Sequence, residues 1–223
     1  MSKYFKILFL FLFITVKLYS NKYFIAISET ENKLSSLSEK FNINSEAFNL
    51  ALKGYEKLKS LGLISNVQFL TIVDFSKPSN IERFYVIDML TKQLIIKTLV
   101  AHGKNSGALF ANNFSNKNAS LKSSLGFYIT RSPYIGKHGT SLELEGLELG
   151  INDQVKSRAI VIHGANYVSN KMAKESGIIG RSFGCPAVPI NKVKEIVTTI
   201  QGGSCMFIYA PNNAYLEKSQ LAK

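Results

Sequence analysis

The residues able to do chemistry in this chain of 223 are concentrated between Ile160 and Pro189, in the stretch IVIHGANYVSNKMAKESGIIGRSFGCPAVP. An apolar run closes on a His-Gly pair, His163-Gly164, and 22 positions later a cysteine is framed as Ser182-Phe183-Gly184-Cys185. A free thiol ionises near pH ~8.5 and only the thiolate is a strong nucleophile, so a reactive cysteine needs a base beside it. An imidazole delivered by a strand and a thiol presented by a glycine-flanked turn can supply that pair from remote positions. A second His-Gly pair, His138-Gly139, sits in the glycine-rich phrase Tyr134-Ile135-Gly136-Lys137-His138-Gly139. It suits substrate contact, and it is the weaker candidate for base because it does not close an apolar strand. His102, after Val100-Ala101, is expected to be structural or at the surface.

Other chemistries compete for these residues. The chain has two cysteines, and in an exported protein Cys185 and Cys205 could form a disulfide. Their settings differ: Cys205 lies in Ser204-Cys205-Met206-Phe207-Ile208-Tyr209, which reads as a buried strand, whereas Cys185 lies in a Gly/Pro turn. A zinc site could draw on His102, His138, His163 and Cys185, but no His-x-His, His-Glu-x-x-His or Cys-x-x-Cys spacing occurs. No metal and no cofactor are expected. Phosphate-binding glycine loops and disulfide-exchange motifs are absent from the sequence as well.

The His-Gly pair, its spacer and the Ser-x-Gly-Cys that follows resemble the L,D-transpeptidase catalytic domain, the YkuD-type family of cell-wall enzymes. The Gly-Cys-Pro-Ala-Val run is most similar to one subgroup of it. Gly126-Phe127-Tyr128, Gly136-Lys137-His138-Gly139, Gly150-Ile151-Asn152-Asp153 and Gly202-Gly203-Ser204-Cys205 resemble that subgroup too, so the likeness covers residues 66 to 211. The resemblance implies a β-sandwich and a thioacyl-enzyme mechanism on peptidoglycan stem peptides. Cys185 would attack the carbonyl of the L-configured third residue, the terminal D-amino acid would leave, and an amine of a second stem would resolve the thioester. Water as acceptor would make the site an L,D-carboxypeptidase. His163 would serve as general base, oriented by the Gly164 carbonyl, with the amides of Gly184 and Cys185, joined by Phe183, facing the oxyanion. Ser182 would hydrogen-bond either the oxyanion or the turn. The resemblance also implies covalent inactivation by carbapenems. Family members carry an arginine two residues after the cysteine, a position that Ala187 fills here, and Arg181 is the candidate to hold the substrate in its stead, with His138 as a second contact.

The elements that must position these residues read as mainly β. Gln68–Phe75, Arg83–Asp88, Leu94–His102, Gly126–Thr130, Ser141–Leu147, Ala159–His163 and Cys205–Ala210 are strand-like, with a hairpin turn at Leu90-Thr91-Lys92-Gln93. Many short strands and few helices predict a sandwich. Residues 103–124 read as one long polar loop, and such a loop is usually mobile or functional. Only Ile190–Ile200 reads as a helix in this part, entered through Pro189 and ended by Gly202-Gly203. Upstream, Phe48, Leu52, Tyr55, Leu58 and Leu61 follow helical spacing from a cap at Asn44 or Ser45 to a stop at Gly62. Residues 28–43 read as a second helix or a linker. The expected organisation is an export signal over 1–20, a small N-terminal helical appendage over 21–65, the catalytic domain over 66–211 and a tail over 212–223.

The signal is read from Lys3 and Lys6 before the apolar run Ile7–Val16, with Ser20 for cleavage. An uncleaved anchor from Phe5 to Tyr19 is the alternative, and no cysteine near the cut invites lipid attachment. Removing residues 1–20 takes away Lys3, Lys6 and Lys17 and no acids, so a net charge of +12 becomes +9. A basic exported protein suits an anionic partner such as peptidoglycan stem peptides in the periplasm or envelope. Nucleic acid is disfavoured because the lysines are scattered and arginine occurs only at 83, 131, 158 and 181. No stable membrane span is expected in the mature form, and the oligomeric state stays open. Two rivals from other classes remain: a non-catalytic wall-binding protein with bridged cysteines, and a zinc-dependent wall peptidase.

Overall fold

A computed structural model describes residues 36–223, so the expected export signal over 1–20, its anchor alternative and the polar stretch 28–35 lie outside the described residues. The chain divides into two compact units, Met1–Ser45 and Glu46–Lys223. In the first, residues 36–41 are helical.

Helix α1, Ser45–Ser60, all but its first residue in the second unit, buries Phe48, Leu52, Tyr55 and Leu58 as their spacing predicts. Glu46 in its first turn and Lys57 and Lys59 in its last complement the helix dipole. Gly62, at φ +67°, stops it. Leu61, expected on the buried stripe, is instead exposed, because the helix has already unwound there.

Eight strands follow in one sheet: β1 (Asn66–Asp74), β2 (Phe84–Asp88), β3 (Gln93–Thr98), β4 (Gly126–Gly136), β5 (Gly139–Gly146), β6 (Val161–Ala165), β7 (Ala187–Pro189) and β8 (Ser204–Tyr209). Their order is β3-β2-β1-β8-β4-β5-β6-β7, with β1/β8 and β6/β7 parallel and the other pairs antiparallel. Every residue of the central strand β8 is buried, as is every residue of β2. One side of that centre is covered by α1: a methyl at Gly54 would lie 2.1 Å from the Phe127 ring, which stacks on Phe207 at 4.3 Å between centroids.

The two ends of the sheet nearly meet. After β3 the chain runs beside β7, where the amide of Ala101 donates to the Ala187 carbonyl at 2.8 Å and Gly103 bridges to Ser182. This near-closure realises the mainly β, sandwich-like architecture that the strand pattern predicts, and it carries residues 101–104 to the cysteine turn.

Three details correct the sequence reading. The expected helix at Ile190–Ile200 is α3, Val193–Ile200, and two more short helices exist: α2 (Asn170–Ser176) and α4 (Asn213–Lys218). Both carry caps, with Ser169 accepting from the Met172 amide and Asn212 from the Tyr215 amide. They escaped apolar-period reading because α2 buries no residue and α4 buries only Tyr215. The 103–124 segment is a loop, but it is tied down. It contains a 3-10 turn at Lys104–Ser106, and the Ser106 hydroxyl accepts from the Ser123 amide at 2.9 Å.

Candidate functional site

Strand β6 lies between β5 and β7, with His163 opposite Ser141 on one side and Ala187 on the other. His163 was expected at a strand end; it stands in mid-strand, because β6 continues through Gly164 to Ala165 once β7 pairs with it. Side chains alternate along a strand. Ile162 points into the core, fully buried, so Val161 and His163 share the opposite face. Cys185 arrives beside that face two residues before its partner strand begins. The Val161 amide lies 3.5 Å from the Cys185 sulfur, and the thiol lies 3.8 Å from the Ala159 carbonyl.

Cys185 and His163 thus line one cavity of about 640 Å³, together with Lys137, His138, Arg158 and Arg181. The wall carries no carboxylate, so its charge is positive and favours an anionic ligand. Both cysteines are free thiols. Cys205 is fully buried in β8, where burial raises its pKa, so the expected alternative of a disulfide is not what the fold makes. Among the described residues no three His, Cys, Asp or Glu side chains are grouped as a metal ion would need.

The turn that presents the sulfur is held from several sides. The Ser182 amide donates to the His102 carbonyl at 3.0 Å, and the Lys104 amide donates to the Ser182 carbonyl at 2.7 Å. The Ser182 hydroxyl donates to the Cys185 carbonyl at 2.6 Å and accepts from the Gly184 amide at 3.1 Å. Ser182 therefore serves the turn, one of its two expected roles, and it engages the Gly184 amide that was expected to face an oxyanion. Gly184 sits at φ +129°, a conformation that side chains rarely adopt. A methyl there would meet the Lys122 carbonyl at 2.8 Å and Ile160 at 2.9 Å. Burial raises the Cys185 pKa, opposed by the Val161 amide and by the charges of Arg158 and Lys137.

Nδ1 of His163 lies 3.0 Å from the Gly164 carbonyl. With the proton held there, Nε2 carries the free lone pair. Burial lowers the His163 pKa and outweighs the Gly164 bond that raises it, and His138 and Lys137 lower it further. The ring is therefore neutral at pH 7 and able to accept a proton. Gly164 also clears space, since a methyl on it would lie 2.8 Å from Ile190 and 3.0 Å from Val193.

The remaining expected residues fall at different depths. His138 is exposed at the β4–β5 hairpin tip, its ring stacked on His163. Arg181 is exposed at the cavity wall and donates to the Gly107 carbonyl at 3.2 Å. Of its two expected settings, structural or surface, His102 takes the structural one and is fully buried: its Nδ1 meets Arg83 at 2.7 Å and its Nε2 meets the Gly107 carbonyl at 3.2 Å. Sequence reading missed Arg158, Tyr134, Tyr167 and Ser141 in the wall. Arg158 offered a signal, being one of four arginines and the residue immediately before the Ala159–His163 run.

No curated protein matches the chain significantly. Among solved structures, an L,D-transpeptidase from Mycobacterium smegmatis is similar at 12% identity and TM-score 0.40, over 64% of this chain and 59% of that one. The helical cell shape determining protein Pgp2 from Campylobacter jejuni is similar at 14% identity and TM-score 0.43, over 65% of this chain and 48% of the other. An L,D-transpeptidase from Xylanimonas cellulosilytica is similar at 10% identity and TM-score 0.39, over 74% and 80%. This chain spans about half to three fifths of the length of the first two. The pattern of the L,D-transpeptidase catalytic domain matches residues 39–209 and so takes in the sheet, the His-Gly pair and the cysteine turn alike. On that match the chain belongs to the family of L,D-transpeptidase catalytic domains.

Proposed function

We propose that the protein is a peptidoglycan-acting cysteine acyltransferase of the L,D-transpeptidase type, working at the cell envelope and belonging to the Gly-Cys-Pro-Ala-Val subgroup. The observation that carries this reading is that a free thiol, Cys185, and a neutral imidazole, His163, open into the same positively lined cavity. Nε2 of His163 takes the thiol proton as the sulfur attacks the carbonyl carbon of the donor stem's third residue. The tetrahedral oxyanion faces the Cys185 amide. The carbon–nitrogen bond to the terminal D-amino acid breaks, and the imidazolium returns its proton to the departing amine. An acceptor amine then attacks the thioester, loses its proton to His163, and releases the sulfur. Arg181 and His138 meet the donor peptide, whose carboxylate matches the cationic wall.

The test is incubation with purified muropeptides and mass spectrometry of protein and products, for wild type and Cys185→Ser. Wild type is expected to show a thioacyl adduct at residue 185 with loss of the terminal D-amino acid, and the variant neither. A cross-linked product identifies an amine acceptor, and a tripeptide identifies water. Processing that survives in Cys185→Ser would overturn the reading.

A further inference from the structure

Arg158 is half-buried at the cavity wall, and every N–H of its two terminal nitrogens has a protein acceptor. Nη1 donates to the Ser115 carbonyl at 2.8 Å and the Ser124 hydroxyl at 2.6 Å. Nη2 donates to the Lys122 carbonyl at 2.5 Å and the Ser120 hydroxyl at 3.3 Å. These acceptors all belong to the polar loop and none is a carboxylate, so the guanidinium is fixed in place while its charge is left unbalanced. A half-buried cation without an anion is partly desolvated with no partner to offset that cost. Two groups capable of becoming anions couple to it, Tyr128 and Cys185. Tyr128 is fully buried and its phenol is pushed far above neutrality, so it stays uncharged. Cys185 remains. Nη2 of Arg158 also lies 3.2 Å from where a side chain on Gly184 would begin, which places the charge against the turn that carries the sulfur.

We propose that Arg158 is a positioning residue that acts as the fixed counter-charge of the Cys185 thiolate, locked against the cysteine turn by the loop of residues 115–124. This rests on the reading of Cys185 as nucleophile. The proton leaves sulfur for His163, and the negative charge that remains is met by a guanidinium already oriented, with no reorganisation needed at that moment. The loop, which looks like a linker in sequence, then has a purpose: its hydroxyls and carbonyls hold Arg158 without neutralising it. The other charged or titratable groups facing the sulfur's cavity are Lys137 and His138 on the hairpin, His163 on β6, and Tyr134, Tyr167 and Arg181. Lys137 shares the sign but sits exposed at the hairpin tip, where water screens it.

The experiment is the pH profile of Cys185 alkylation by iodoacetamide, read on the full chain by mass spectrometry for wild type, Arg158→Gln, Arg158→Lys and Ser124→Ala. It needs no peptidoglycan, so its failure is distinguishable from failure of the muropeptide assay. Arg158→Gln, which keeps donors and loses the charge, is expected to alkylate roughly tenfold more slowly at pH 7, its profile displaced to higher pH. Arg158→Lys, which keeps the charge but cannot fill all four acceptors, is expected to be displaced less than Arg158→Gln. Ser124→Ala removes one of four clamps but no charge and is expected to displace the profile less than Arg158→Gln, with thermal melts confirming that each variant is folded. A wild-type profile in Arg158→Gln, or equal displacement in Arg158→Lys or Ser124→Ala, would overturn the proposal.

Discussion

The imidazole of His138 lies stacked on that of His163, with 4.5 Å between ring centroids and 22° between planes. One ring is presented by an exposed hairpin tip and the other by a buried strand, so the hairpin bears directly on His163, the proposed base.

That contact predicts a pH effect. Burial, then the charges of His138 and Lys137, hold the His163 pKa below that of a free imidazole. A base with a lowered pKa stays neutral further into acid, and activity is lost only as pH falls through that lowered value. Replacing His138 with Ala removes both a covering ring and a potential charge, so the pKa rises. The acid limb of kcat/KM is then expected to move to higher pH, and Lys137→Met to act in the same direction. An unmoved acid limb in both variants would refute coupling between hairpin and base.

Gly184→Ala tests the cysteine turn. At φ +129°, with a carbonyl 2.8 Å from the new methyl, the turn must shift. Backbone strain of this kind costs about 1–3 kcal/mol. A displacement of the sulfur by about an ångström is enough to slow acylation roughly a hundredfold. Thermal melts and single-turnover acylation measure the two losses separately. A variant with wild-type stability and acylation would show that the turn does not need glycine.

His102 predicts an acid-labile core. Its imidazole is fully buried beside Arg83, and burial, then that charge, lower its pKa from 6.5 to about 4. The unfolded chain therefore binds this proton more readily, and the stability from the neutral ring is complete above pH ~6.5 and lost as pH falls toward about 4. By pH ~4.5 the loss amounts to about 2–3 kcal/mol. Urea melts at pH 7 and 4.5 should show this fall in wild type and a smaller one in His102→Gln, whose amide can replace both hydrogen bonds without titrating. Equal falls would assign the acid sensitivity to other groups.

Local chemistry was readable along the chain. The His-Gly pair and the Ser-x-Gly-Cys turn could be picked out because each is a short run whose residue types suit one conformation. The Phe48–Leu58 helix stripe and the β runs were legible for the same reason, since their apolar periods reflect faces that a core will bury. Helix α2 was not, although Ser169 and Gly177 mark its ends, because it buries nothing and so leaves no period.

What only the tertiary structure decided is which remote residues become neighbours. The pairing of β6 with β7 moved His163 from an expected strand end to mid-strand and set the Cys185 sulfur beside Val161. The near-closure of the sheet settled His102, expected to be structural or at the surface, as a fully buried structural residue behind Ser182. The polar loop closed on Arg158 and made a structural charge of what reads in sequence as one more solvated arginine. These outcomes depend on contacts between residues dozens of positions apart. A sequence states local preference at each site, whereas burial, strand register and the balance of charge follow from which surfaces the folded chain brings together.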